Sequence, residues 1–367
     1  MTQLFWDCGT AYDMFVSLMV LHEPEDYEVR GAWAAGVRAR IPVAERATLE
    51  ALHLTGHSPL GWVHSLPEPK DGMAALWALG RIPPVERLAA LSINPEWPPA
   101  HIAEILKGVS ARGAWSEREW DALRAFYRRK SREKGEAKEP TARPLTDMLD
   151  MWAHPAEAGE RILQALRAYQ EVFFAEEERR IRPALEAALA RAQELAQRLA
   201  VPDLLEELSQ GLRWQEMAVA EELVLGPSYW CTPLLHYGTL TDGRRIGLFG
   251  ARPPEASLIP GETVPDALLR ALKALSDPTR LAILRYVARE SLTPAELSRR
   301  LRLRIPTVTH HLGILRLAGL VRLIIEDEEE TNYYTARTEA ITAAFEALQG
   351  LLQGDPSQAG GDTPPTA

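Results

Sequence analysis

The stretch RIPTVTHHLGILRLAGLVRLIIEDEEETNYYTAR, Arg304 to Arg337, decides how this chain is read. Pro306 suits the first turn of a helix, where a missing N–H leaves no bond unmade. Gly319 followed by Leu320 suits a left-handed stop closed by an apolar contact. A helix is therefore predicted over residues 306–318. At roughly 100° per residue, Val308, Leu312 and Leu315 share one face, while Thr309, His310, Gly313 and Leu317 share the other, flanked by Thr307 and Ile314. The apolar face turns inward and the small polar face outward.

The residues before and after this helix set its context. Ser276-Asp277-Pro278 opens a helix carrying Leu281, Leu284, Val287 and Ala288, and Thr293-Pro294-Ala295-Glu296 is a capping box opening a short second helix. Only a few residues join Leu301 to Pro306, the length of a helix-turn-helix link. Beyond Gly319, Val321, Leu323 and Ile325 alternate, an acidic turn follows, and residues 332–336 return as a β-prone run. Helix, helix-turn-helix and two-stranded wing together predict a winged helix.

The strings LKALSDPTRLAILRYV, TPAELSRRL, PTVTHHLGILRLAGLV and YYTAR, within about Leu268 to Arg337, resemble the ArsR-type winged-helix transcriptional regulators. The resemblance implies a homodimer that reads a palindromic double-stranded DNA operator and releases it when an inducer binds. By the logic of base edges and phosphates, Thr307, Thr309 and His310, with His311 beside them, face the bases, and Arg304, Arg316 and Arg322 face the backbone. The chain departs from its relatives at Arg304 and Ile305, where a polar cap is common, at Gly313 for Lys, and at Leu317 for Glu. Its acidic wing tip, Glu326 to Glu330, stands where relatives place Arg, so the wing is expected to stay off the phosphates or to pair with a basic surface.

Charge is unevenly distributed. The chain's net charge is −10, yet between Asp266 and Ile325 eleven Arg or Lys face four Asp or Glu. Arg299, Arg300, Arg302 and Arg304 stand just ahead of the reading helix, so the local field favours phosphate, in a salt-dependent way. With 367 residues, 46% hydrophobic and 25% charged, the chain is an ordinary globular protein of two or three domains. Its start, MTQLFWDCGTAYD, shows no signal peptide or membrane span. Two cysteines, Cys8 and Cys231, make no disulfide framework and fit a reducing cytoplasm.

Before the winged helix, helices are expected over residues 4–21, 27–40, 42–54, 72–79, 84–91, 99–108 and 116–129, each punctuated by Pro or Gly. Residues 128–143 read as an exposed charged loop, 156–199 as one or two long helices broken near Pro183, and 203–220 as a further helix. Residues 222–249 are β-prone and suggest a small strand element or hairpin. The fold class is thus mainly α. A large helical domain with a small β element spans 1–252, a Pro-rich linker 253–264 and the winged helix 265–352, and the tail 353–367 is expected to be disordered.

WDCGTAYD, RGAWAAGVR, FFAEEERRIRPALEAAL and ELVLGPSYW give the first domain a further resemblance, to the long branch of ArsR-type regulators, and imply a sensing role. All ten tryptophans lie in this domain. Most are core, but Trp6, Tyr12, Trp33, Tyr229 and Trp230 are candidate pocket lining for an apolar or aromatic small-molecule effector. No cofactor is implied. Metal sensing needs a Cys pair on the helix at 293–301 or ligands on the helix at 339–352, and neither is present. His53 and His57, four apart, with His64 nearby, are the one alternative metal set, and Gly56, Ser58 and Pro59 interrupt its helix. Dinucleotide, P-loop, nucleophile-elbow and zinc-protease motifs are all missing, so enzymatic chemistry is not expected. The remaining alternative is a helical scaffold whose winged helix binds protein rather than DNA.

Overall fold

The computed structural model describes every residue except 1, 28, 56–57, 134–141, 234, 260–263, 327–330 and 354–367, and describes the backbone alone at 130–133, 326 and 331. His57, most of the acidic wing tip and residues 354–367 of the expected disordered tail lie outside the described residues, and Gln353 ends a helix. The chain divides into two compact units, Met1–Leu204 with Glu216–Ala251, and Leu205–Gln215 with Arg252–Ala367.

The strands are β1 (Gln3–Trp6), β2 (Leu212–Trp214), β3 (Glu222–Ser228), β4 (His236–Thr239), β5 (Arg245–Gly250), β6 (Val321–Glu326) and β7 (Thr331–Ala336). The early helices are α1 (Thr10–His22), α2 (Gly31–Arg40), α3 (Val43–Leu54), α4 (Leu60–His64), α5 (Gly72–Arg81), α6 (Pro84–Ser92), α7 (Ala100–Arg112), α8 (Glu117–Glu133) and α9 (Ala142–Ala153). Then come α10 (Pro155–Tyr169), α11 (Ala175–Ala196), α12 (Val201–Leu208) and α13 (Gln215–Ala218). The last are α14 (Asp266–Leu275), α15 (Pro278–Val287), α16 (Pro294–Leu301), α17 (Ile305–Leu317) and α18 (Thr338–Gln353). Among the described residues, no helix is long and apolar enough to cross a membrane.

The first unit is helical around a four-stranded sheet in the order β1-β3-β5-β4. This corrects the helix expected over residues 4–21. Leu4, Phe5 and Trp6 form a strand pairing in parallel with Leu223, Val224 and Leu225, and the helix begins only at Thr10. The small strand element expected over 222–249 is present: β4 and β5 form an antiparallel hairpin, and β3 lies parallel to β1 and β5. The misread helix at the start has a plain cause: strand partners more than 200 residues away leave no mark on local periodicity. α1 and α11 pack on β3, whose residues are almost continuously buried, as strands covered on both faces are. Away from the sheet, α10 packs against α3, α6 and α9. The charged run after Arg128 continues as helix to Glu133, and Pro183 sits within an unbroken α11.

The second unit is the winged helix. Ile283, Leu284, Val287, Leu297, Val308, Leu312, Leu315, Leu320, Val321 and Tyr334 form its core, matching the inward face expected of the reading helix. Asp277 caps α15 by accepting from the Arg280 N–H at 2.9 Å, and the Thr293–Glu296 capping box opens α16. β6 and β7 form the antiparallel wing. A third strand joins it from a distance: β2 pairs in parallel with β6, Leu212 opposite Leu323 and Trp214 opposite Ile325. The helix expected over 203–220 is therefore interrupted. Gln210 and Gly211, with φ of 55° and 103°, make a tight turn that releases the chain from α12 into β2. The segment expected as linker is partly packed, with Leu258 buried and its N–H donating to Asp266 at 2.6 Å.

Candidate nucleic-acid interface

The surface of interest is built from α17, the turn before it and the wing beside it. Ser298 Oγ donates to the Leu303 carbonyl at 2.6 Å, tying the end of α16 to the turn. Arg302 there takes a left-handed conformation with φ 55°. α17 then starts at Ile305 with Pro306 in its first turn. It ends as the sequence implied: Gly319 has φ 69°, the Leu320 N–H donates to the Leu315 carbonyl at 3.0 Å and the Gly319 N–H to that of Arg316 at 2.9 Å. This is a Schellman closure, and it fixes which face of α17 looks outward.

That outward face is small and polar. Thr307, Thr309, His310 and Gly313 are exposed, whereas Val308, Leu312 and Leu315 are buried. A side chain at Gly313 would meet nothing within 4 Å, so the centre of the face is open to a partner's approach. Ile305 is 49% exposed, an apolar side chain presented at the leading end of the helix. Arg299, Arg302 and Arg304 are exposed around it, while Arg300 is held by the carboxylate of Glu290 at 2.5 and 3.2 Å.

Residues 275–324 match the family described as a helix-turn-helix domain. The C-terminal unit is an ArsR-type winged helix-turn-helix. An ArsR family transcriptional regulator of known structure is 27% identical to this chain over 24% of this chain and 88% of its own length, with a TM-score of 0.22. HlyU from Vibrio cholerae is 32% identical over 24% of this chain and 94% of its own, with a TM-score of 0.20. NolR from Sinorhizobium fredii is 23% identical over 24% of this chain and 88% of its own, with a TM-score of 0.20. No curated protein matches the chain.

Within this ArsR-type domain the expected site residues part company. Arg304, Thr307, Thr309 and His310 share the accessible surface of α17. His311 is half-buried with its Nδ1 shielded and without a hydrogen-bond partner among the described residues. Burial, against the charge of Asp277, lowers its pKa below the ordinary histidine value. Arg316 is a correction. It is buried, 8% exposed, and its guanidinium donates to the carbonyls of Ser209 at 2.7 Å and Gln210 at 3.2 Å. Burial, with the nearby charge of Arg337, brings its pKa down to about 10, still protonated at neutral pH. Its position on the inner face of α17 leaves it no route to a phosphate. Arg322 is half-buried and bound to the carboxylate of Glu206, which also binds Arg213. Burial raises the pKa of Glu206, but the two guanidinium partners outweigh it and hold the carboxyl below its usual range.

Sequence reasoning missed Glu206, Ser209, Gln210 and Gly211, which contact the reading helix and wing from residues placed in the first domain. The Gln-Gly dipeptide before Leu-Arg-Trp was the available signal, a turn followed by a β-prone run.

The aromatic residues expected as pocket lining are also separated. Tyr12, Tyr229 and Trp230 are fully packed, at 0%, 3% and 0% exposure, which corrects their assignment to an open pocket. Tyr12 Oη donates to Asp7 at 2.7 Å, and Trp230 Nε1 to Glu177 at 3.0 Å. Trp33 stacks on Trp230 with centroids 6.0 Å apart. Trp6 is half-buried on β1. A cavity of about 80 Å³ near the end of β1 is lined instead by Cys8, Thr10, Lys70 and Arg182 among others. Another of about 40 Å³ is lined by residues including Phe15, His53 and Ser58. Both fall far short of the roughly 300 Å³ of an ordinary small-molecule site. Of the histidines weighed for metal, His53 bonds Glu23 at 3.1 Å and His64 bonds Asp7 at 2.6 Å.

Proposed function

We propose that this chain is a sequence-specific double-stranded DNA-binding transcriptional regulator, acting as a repressor and responding to a small-molecule signal through its first unit. The observation that carries the DNA reading is the outward face of α17. It presents Thr307, Thr309 and His310 around an open centre at Gly313, with Arg299, Arg302 and Arg304 exposed alongside. Hydroxyls and an imidazole suit base edges, and free guanidinium groups suit phosphates. The ArsR-type identity of the domain supports the same reading.

The chain acts as a homodimer in this proposal. α18 packs on α14, has no buried residue, and exposes Phe345 at 52% and Leu352 at 77%, an apolar face suited to a second copy. Two reading helices related by a two-fold axis then enter major grooves about one helical turn apart. The sensing role of the first unit rests on its being a separate compact body within a regulator. The effector is left without a class, since three of the five aromatic side chains expected to line its pocket, Tyr12, Tyr229 and Trp230, are packed inside.

Selection from a pool of random duplexes, followed by fluorescence anisotropy on the selected site at low and moderate salt, tests the reading. Binding to the selected duplex over a scrambled one, weakened by salt and lost in a Thr309→Ala, His310→Ala variant, is the expected outcome. A chain that enriches no sequence and binds both duplexes equally overturns it in favour of a protein-binding scaffold.

A further inference from the structure

One short segment touches both parts of the candidate interface. The chain leaves the first unit at Leu204 and rejoins it at Glu216, and the residues between belong to the winged helix. The excursion is thus tethered at both ends. It is attached in three ways. β2 lies along β6, the Leu323 N–H donating to the Gly211 carbonyl at 2.8 Å. The Ser209 and Gln210 carbonyls take the guanidinium of Arg316 on the inner face of α17. Glu206 holds Arg322 at the start of the wing, while Arg337 at its end donates to the Gln210 carbonyl at 2.9 Å.

The turn that makes these contacts tolerates little change. Gly211 has φ 103°, a conformation costly for any residue with a side chain. A Cβ there would stand 2.7 Å from Arg337 Cδ and 3.4 Å from Arg322 Cα. Lifting the segment strips a buried arginine of both carbonyl acceptors and opens the edge of β6. These contacts share one short segment, so lifting it would break them together rather than by degree.

We propose that residues 205–215 form an intrachain regulatory strand: seated on β6, it holds the wing and reading helix in the DNA-competent arrangement, and a change in the first unit lowers DNA affinity by lifting it. This deepens the DNA-binding reading and rests on it, but seating itself is measurable without DNA.

The test combines amide hydrogen exchange with DNA affinity in the full chain, on the duplex selected above. In Gly211→Ala, exchange at the Leu323 amide rises at least about tenfold while α15 and α16 keep their protection, and DNA affinity falls about tenfold or more. Glu206→Gln shifts both readouts in the same direction by less. Asp13→Asn, a change at a residue whose hydrogen-bond donors Ser228, Tyr229 and Trp230 belong to the first unit, also speeds exchange at Leu323.

Unchanged exchange at Leu323 in Gly211→Ala shows that the turn does not seat the strand. Faster exchange with unchanged affinity shows that seating does not govern binding, and either result overturns the proposal. If Gly211→Ala loses protection throughout the domain, Glu206→Gln decides by the same two readouts. An Asp13→Asn variant with a lowered melting temperature and unchanged Leu323 exchange removes the link to the first unit. If the wild type selects no duplex, the DNA reading and the affinity coupling fall together, while the exchange contrast still reports whether the strand is seated.

Discussion

The guanidinium of Arg316 donates to the main-chain carbonyl of Ser209, 107 residues earlier in the chain, at 2.7 Å. A cation on the reading helix therefore serves the architecture of the domain. Arg316→Ala is expected to lower the stability of the winged unit by about 2–4 kcal/mol, because charge-assisted bonds to two carbonyls and the side chain's packing are removed together. Denaturant unfolding measures that loss. The salt dependence of DNA binding should keep its slope in this variant. Arg304→Ala should do the reverse, sparing stability and reducing the slope of the homodimer by about 1.8, about 0.9 for each of the two phosphates no longer neutralised. A shallower slope in Arg316→Ala alone would restore it to the phosphate set.

Base reading is expected to centre on Thr309 and His310, and truncating either side chain should cost about 1–3 kcal/mol of discrimination between bases. Ile305 has no hydrogen-bonding group and is half-exposed, so the contribution expected of it is contact with a thymine methyl. Ile305→Gln should change the preferred base at one position of each half-site, and replacing that thymine by uracil should weaken wild-type binding alone. Competition between the two duplexes reads this out. Equal binding of thymine and uracil by the wild type removes Ile305 from recognition.

The core of the domain should be sensitive to loss of volume at Leu312, which is 0% exposed and sits among Leu315, Val308 and Ile283. Leu312→Ala is expected to cost about 2–5 kcal/mol, seen in thermal unfolding. The exposed Gly313→Ala, whose new methyl meets open space, should leave stability unchanged or slightly raised, since alanine favours a helix over glycine. A loss at Gly313 as large as that at Leu312 would contradict the assigned faces of α17.

Acid should weaken the first unit through His22. Its Nε2 is buried without a hydrogen-bond partner among the described residues, and its Nδ1 donates to the Leu18 carbonyl at 2.8 Å. Burial, reinforced by the stacked His53, pushes its pKa from 6.5 down to about 3. The unfolded chain therefore binds this proton first, so the contribution is complete above about pH 6.5 and is lost as pH falls toward about 3. Asp13 acts in the opposite sense. Burial lifts its pKa from 3.8 to about 6, despite donors from Ser228, Trp230 and Tyr229, so its contribution is lost as pH rises through that window. His22→Phe should flatten the acid side of the stability profile and Asp13→Asn the rise below about pH 6. Urea titrations from pH 4 to 7 separate the two, and parallel profiles for wild type and His22→Phe would dismiss the histidine's role.

The winged helix was legible because its signals are local. Asp277, the Thr293–Glu296 box, Pro306 and Gly319 each specify a helix end from within a few residues, and Val308, Leu312 and Leu315 show their shared face by spacing alone. What was illegible depends on distant partners. Leu4 to Trp6 are equally at home in a helix until Leu223 to Leu225 are known to lie beside them. Arg316 carries the same charge as Arg304, and only the carbonyls of Ser209 and Gln210 distinguish an inward arginine from an outward one. The aromatic candidates failed for a similar reason, since Tyr12 and Trp230 are amphipathic enough to line a pocket but find buried carboxylates as partners.

The excursion of residues 205–215 also governs how the molecule can be taken apart. A fragment beginning at Arg252 holds every residue matched to the helix-turn-helix family yet lacks the strand that covers β6. It would expose an unpaired edge bearing Leu323 and Ile325, a template for joining other copies into aggregates. DNA-binding activity recovered from such a fragment would belong to a different object from the native domain. The natural cutting points of this protein are pairs of positions, and a single break in the chain does not yield its modules.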